Sequence, residues 1–253
     1  VTTETAGPLE ASDSGPTSTG SRTTMILGIV TLFALGVLVL FGLILSPAEE
    51  NQSDAVRIMY IHVPSATLSY VGCFLTAIGS AVFLWRKSRW WDLVAYASAE
   101  VAALFTAFTL VTGMLWGRPT WGVFWVWDAR LTSEAMLMLL LLGYLAVRGI
   151  AADYEVRAKR AAIVGLLLVP NVFIVRQSVQ WWRTLHQTPT LSLSGAEIQG
   201  LMLFSLFTGF IAITLAFIWM VIHRFRVAWL EEQVDAEGLD TAIAERRAEG
   251  VVS

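Results

Sequence analysis

Only three histidines occur in this 253-residue chain, and two of them, His62 and His186, sit at the edges of long apolar runs. A neutral imidazole is a versatile ligand for transition metals and carries protons near neutral pH. Between the two lies W-G-R-P-T-W-G-V-F-W-V-W-D-A-R-L-T, Trp116 to Thr132, which places Trp116, Trp121, Phe124, Trp125 and Trp127 within twelve positions. Tryptophan is common at membrane interfaces, where one end of its ring is apolar and the other polar, but this density exceeds an ordinary aromatic belt. At about 100° per residue, Trp121, Phe124, Trp125 and Asp128 share one helical face; as a strand, Trp121, Trp125 and Trp127 share one side. The spacing supports both, although Pro119 and Gly122 argue against a long regular element. Either form predicts a flat, rigid aromatic platform suited to a large planar apolar ligand.

A lone histidine at a membrane surface is ordinarily just a polar side chain among headgroups. The joint placement of His62 and His186 with the tryptophans is less ordinary. Two neutral imidazoles on opposite faces of a porphyrin would satisfy both axial positions of its iron. Guanidinium groups would meet the propionates, and Arg118, Arg130, Arg176 and Arg183 are the nearby candidates. Their ordinary role would be snorkelling to the interface or pairing with Asp128. His223 precedes Arg224 at the end of another apolar run and reads as a headgroup contact.

Other chemistries are excluded by what is missing. Cys73 is the only cysteine, so no disulfide forms within the chain, and there is no C-x-x-C-H for covalent haem attachment. No G-x-x-x-x-G-K-[ST] occurs, so an ATP-driven step needs another subunit. The net charge of −3, without a basic stripe, gives no footprint for nucleic acid.

These residues must be held by membrane-spanning elements. The chain is 56% hydrophobic and only 15% charged, with mean hydropathy +0.64; soluble domains carry about 25% charged residues. Crossing the hydrocarbon core takes about 20 apolar residues in a helix, and six runs qualify, near residues 25–45, 64–85, 93–116, 131–147, 161–181 and 199–223. The first is too long and weakly flanked for a cleavable signal. The predicted fold is an all-α integral membrane protein of six transmembrane helices.

Lysine and arginine concentrate in the turn with Arg86, Lys87 and Arg89, the turn with Arg148, Arg157, Lys159 and Arg160, and the exit with Arg224 and Arg226. The positive-inside rule therefore predicts both termini in the cytoplasm. His62, the Trp-rich loop between helices 3 and 4, and His186 then all face the periplasm. The organisation expected is a disordered cytoplasmic tail (1–24), a membrane domain (25–223) containing the segment 116–132, and a charged cytoplasmic tail (224–253). That last tail reads as a solvated, partly disordered extension, with V-A-W-L-E-E-Q-V able to form a short helix. Glu100, inside the third run, is expected to have a structural partner rather than a functional one, and Pro170-Asn171 to kink the fifth span.

The core from Trp121 to Asp128, with I-H-V-P-S-A at 61–66 and W-W-R-T-L-H-Q at 181–187, resembles the WWD haem-handling family, and within it the CcmC subunits of system I cytochrome c maturation. The resemblance covers about residues 25–223. It implies His62 and His186 as axial ligands of a non-covalent, b-type haem, and Trp116, Trp121, Phe124, Trp125, Trp127 and Asp128 as the surface contacting haem or its chaperone. It further implies presentation of haem at the periplasmic face of the bacterial inner membrane to a CcmE-like periplasmic haem chaperone. The other implied partners are CcmA- and CcmB-like ABC ATPase and permease subunits and a small CcmD-like single-helix subunit. This is a binding and transfer role without catalytic residues. The alternatives are a WWD-family cytochrome c haem lyase or synthase, which would be longer and carry histidines inside the spans, and a haem permease subunit.

Overall fold

The computed structural model describes residues 15–150, 153–186, 191–192, 195–196 and 198–251. The chain runs through α1 (Arg22–Leu38), extended by a π-helical turn Val39–Leu45, then a short 3₁₀ turn Asp54–Ile58, α2 (Met59–Arg86), α3 (Arg89–Trp121) and α4 (Ala129–Ile150). It continues through α5 (Tyr154–Leu166), α6 (Leu168–Trp181), a two-stranded ribbon of β1 (Leu191–Ser192) and β2 (Gly195–Ala196), and α7 (Gly200–Val251). Six of these helical stretches are long and apolar enough to cross a membrane, α5 and α6 together forming the fifth. The expected six-helix architecture is present, with helices that overrun the apolar runs at their ends.

Local chemistry sets several boundaries. Ser21 caps α1, accepting from the Thr24 backbone N–H while Thr24 accepts from the Ser21 N–H. Residues 1–14 of the expected disordered tail lie outside the described residues. The fifth span breaks at Leu167, three residues before Pro170. Proline cannot bond the carbonyl four residues back and its ring crowds that carbonyl, whereas within the first turn of a new helix its missing N–H costs nothing.

Close packing rests on small residues, as expected where lipid gives no hydrophobic drive between helices. On α2 and α3, Cβ atoms built on Gly72 and Gly79 would lie 2.8 Å from Ala102 Cβ and from the Trp91 carbonyl oxygen. Pro64 deprives the Tyr60 carbonyl of its helical donor, and that carbonyl faces α7: a Cβ on Gly209 would sit 2.1 Å from it. Only glycine admits this approach of α2 to α7.

One end of the bundle is charged. Arg148 on α4 forms a bidentate pair with Asp92 on α3 at 2.6 and 2.9 Å, both side chains buried. Glu232 accepts from Arg89 at 2.8 Å and from Arg157 at 2.9 Å. Glu100 pairs with Arg224, which also donates to the Tyr96 hydroxyl; the intramembrane carboxylate has a structural partner. His223 stacks edge-on against Trp219 here, far along α7 from the residues described next.

The extension after residue 223 differs from the partly disordered tail expected. The helix of the sixth span runs on unbroken to Val251. Trp229 is buried against Leu93 and Ala228, and Glu232 is clamped by its two arginines, so tertiary contacts carry the helix past the apolar run.

Candidate functional site

At the opposite end, four helix termini converge on a cavity of about 310 Å³, within the ~300–1,000 Å³ range of small-molecule sites. His62 from the first turn of α2, Trp116 and Trp121 from the end of α3, Arg130 from the start of α4, and Arg176 from the last turns of α6 all line it. His186, five residues beyond α6, closes the ring. The two histidines, 124 positions apart, thus open onto one space.

His62 is held by α3. Its Nδ1 lies 3.0 Å from Thr112 Oγ1, and the ring rests against Gly113, where a Cβ would come within 3.1 Å of Cε1. The Thr112 hydroxyl donates its hydrogen back to the Phe108 carbonyl at 2.8 Å, so it can only accept from the imidazole. The proton therefore sits on Nδ1, and Nε2 carries the free lone pair. Trp116 stands edge-on to His62 at 5.6 Å, its indole N–H donating to Gln52 at 2.8 Å.

His186 sits between Trp121 and Asp128. Trp121 lies edge-on to its ring at 4.8 Å, and His186 Nδ1 is 3.8 Å from Asp128 Oδ2. Asp128 itself is fixed: Oδ1 accepts from the Leu131 N–H at 2.8 Å, capping α4, and Oδ2 accepts from the Leu185 N–H at 3.3 Å. Burial, reinforced by the Arg130 guanidinium, lowers the His186 pKa to about 4 against the opposing pull of Asp128. The imidazole is neutral at physiological pH, as ligation requires.

The Trp-rich segment is not one flat platform. Pro119 does not interrupt α3, which runs through Trp121 and stops at Gly122, whose φ of +80° admits only glycine comfortably. From Gly122 to Asp128 the chain is irregular. Trp116 and Trp121 point into the cavity; Phe124, Trp125 and Trp127 are not among its lining residues. Trp125 and Trp127 meet edge-on at 5.3 Å, and Trp127 is 79% exposed. The segment therefore has an inner aromatic pair and an outer aromatic surface.

The arginine candidates separate likewise. Arg118 is exposed, donates to the Gly122 carbonyl and covers the Phe124 ring at 5.7 Å; it caps α3 instead of facing the cavity. Arg183 is exposed and not among the cavity's lining residues. Arg130 and Arg176 do line it. Arg130 donates to the Val175 carbonyl of α6 at 2.9 Å and to the Tyr70 hydroxyl of α2 at 3.3 Å. Tyr70 in turn donates to Glu134 at 2.7 Å, a carboxylate one helical turn below Arg130.

Sequence reasoning missed Gln52, Tyr70, Thr112 and Glu134. Only Glu134 carried a signal, as an ionisable residue inside the fourth apolar run. The others are ordinary polar residues until the helices are packed. Two neutral imidazoles, two indole walls and two guanidinium groups around one cavity suit a planar, iron-bearing macrocycle with carboxylate arms.

The chain also resembles known proteins over most of its length. A family model described as Heme exporter protein C matches residues 11–240. The chain is 38% identical to Heme exporter protein C of Haemophilus influenzae over 82% of this chain and 85% of that protein. It is 37% identical to Heme exporter protein C of Bradyrhizobium diazoefficiens over 81% and 77%. It is also 39% identical, over 69% and 74%, to a mitochondrial protein of Marchantia polymorpha whose name calls it ccmC-like and assigns it to cytochrome c biosynthesis.

Proposed function

This chain belongs to the haem exporter protein C (CcmC) family, and from its site we propose that it binds non-covalent, b-type haem between His62 and His186. It presents that haem, at the periplasmic face of the bacterial inner membrane, for covalent attachment to a periplasmic chaperone during maturation of c-type cytochromes. The observation that carries the reading is the convergence of His62 and His186 on one cavity walled by Trp116 and Trp121. The relatives' names, haem exporter and cytochrome c biosynthesis, supply the pathway.

In this reading each side chain has a task. Nε2 of His62 and a nitrogen of His186 hold the iron, which is the cargo's own reactive centre. Arg130 and Arg176 meet the propionates. The outer surface of Phe124, Trp125 and Trp127 receives the chaperone, which is CcmE-like. Arg86, Lys87, Arg157, Lys159 and Arg160 at the other end face the cytoplasm by the positive-inside rule. The CcmA- and CcmB-like ABC subunits and a CcmD-like helix complete the assembly. The protein positions haem for a reaction finished on its partner.

The test is the visible spectrum and haem content of the purified protein, with and without co-expressed chaperone. A bis-imidazole spectrum that is lost or altered in both His62→Ala and His186→Ala is expected. Haem unchanged in both variants overturns the reading.

A further inference from the structure

His186 Nδ1 is buried and has no hydrogen-bond partner among the described residues. A buried polar nitrogen left unpaired costs about 1–3 kcal/mol. Asp128 Oδ2 lies 3.8 Å from it, just beyond hydrogen-bond reach, and the Asp128 side chain is only 10% exposed. The two backbone N–H groups that hold this carboxylate come from Leu131 at the start of α4 and from Leu185, the neighbour of His186. The acceptor is therefore tied to the same short segment that carries the imidazole. A movement of less than about 1 Å joins them at ordinary hydrogen-bond length.

We propose that Asp128 is the positioning residue for His186, accepting its Nδ1–H so that Nε2 is the nitrogen offered to iron and is made more electron-rich by the carboxylate. This rests on the haem-site reading above. His62 and His186 are then held differently: His62 by a neutral hydroxyl, His186 by a charged carboxylate. Metal-bound histidines commonly donate their second nitrogen to such a partner, which sets tautomer, orientation and basicity. A more basic imidazole favours ferric over ferrous iron, so Asp128 biases the site toward oxidised haem. The motif's aspartate thereby acts on the ligand inside the cavity, while Trp127 just before it faces outward.

Two substitutions isolate the effect, because Asn and Ser both preserve the cap of α4. Asp128→Asn leaves a neutral acceptor of the same length; Asp128→Ser withdraws it. In the purified haem-loaded protein, Asp128→Asn is expected to keep the bis-imidazole spectrum while losing about tenfold in ferric-over-ferrous preference. That loss is a rise of about 59 mV in midpoint potential for a one-electron couple. Asp128→Ser is expected to lose the six-coordinate signature. In haem-free protein, ¹⁵N-histidine spectra should show His186 as the Nδ1–H tautomer in wild type and a tautomer mixture in Asp128→Ser.

Unchanged potential in Asp128→Asn together with unchanged tautomer in Asp128→Ser overturns the proposal and leaves the haem site standing. If His186→Ala itself leaves the haem spectrum unaltered, the site reading fails instead. A variant that does not accumulate with haem is decided by the haem-free tautomer measurement alone.

Discussion

The Nδ1 of His62 on α2 meets the Oγ1 of Thr112 on α3 at 3.0 Å, and the direction of that hydrogen bond is fixed by a third group. Because Thr112 gives its hydrogen to the Phe108 carbonyl, the imidazole must donate, and its Nε2 is left as a ligand. A hydroxyl one helical turn before Trp116 thus determines which nitrogen His62 presents.

Thr112→Val should weaken haem binding by about ten- to a hundredfold, the usual cost of removing a ligand's outer partner. Thr112→Ser should retain most of it. Haem titration into the detergent-solubilised protein measures both; equal affinity in Val and Ser variants would refute the tautomer assignment.

The motif's two aromatic surfaces should separate functionally. Trp121→Ala should lower haem content, because the indole packs on His186 inside the cavity. Trp127→Ala, altering a ring that is 79% exposed outside it, should keep the haem spectrum and reduce formation of haem-loaded chaperone. The same deficit in both, at normal haem content, would contradict the division.

Haem retention should tolerate mild acid. An ordinary histidine, with pKa near 6.5, is almost wholly protonated at pH 5, whereas His186, with its pKa lowered to about 4, is still about nine-tenths neutral there. Folding that depends on neutral His186 is fully favoured above about 6.5 and loses this contribution as pH falls toward 4. The Soret band should therefore persist between pH 7 and 5. A midpoint of loss near 6.5 would mean that the imidazole is not buried as described.

Gly209→Ala should destabilise the bundle by about 1–3 kcal/mol through overpacking, since its Cβ would fall 2.1 Å from the Tyr60 carbonyl oxygen. Gly143→Ala, with nothing within 4 Å of the added Cβ, should be neutral or slightly stabilising in its helix. Thermal unfolding in detergent distinguishes the two.

Removing one partner of the buried Asp92–Arg148 pair should cost about 3–5 kcal/mol, because the survivor is left as an uncompensated buried charge. Asp92→Leu combined with Arg148→Met should recover a substantial part. The double variant being as unstable as the sum of the singles would show that the two charges are not coupled.

The linear sequence determined the elements that depend only on neighbouring residues. Six apolar runs dictate six helices because each must satisfy its own backbone groups in lipid. The placement of His62, His186 and the Trp-rich segment at span ends followed from the same runs. Pro170 announced the break at Leu167, because a missing N–H acts within its own turn. Gly122, not Pro119, ended α3: the helix runs through the proline although its missing N–H forgoes one backbone hydrogen bond, and stops where the chain takes φ +80°. What lay beyond the sequence was decided by which helix faces meet. Arg118 and Arg130, twelve positions apart, read alike, yet one caps its own helix and the other is drawn into the cavity by Val175 and Tyr70. The helical continuation past the sixth apolar run as far as Glu232 hangs on that residue meeting Arg89 and Arg157 from two other elements. Helical periodicity says that a residue has a face; only tertiary packing says whether lipid, a carbonyl or a cavity lies opposite it.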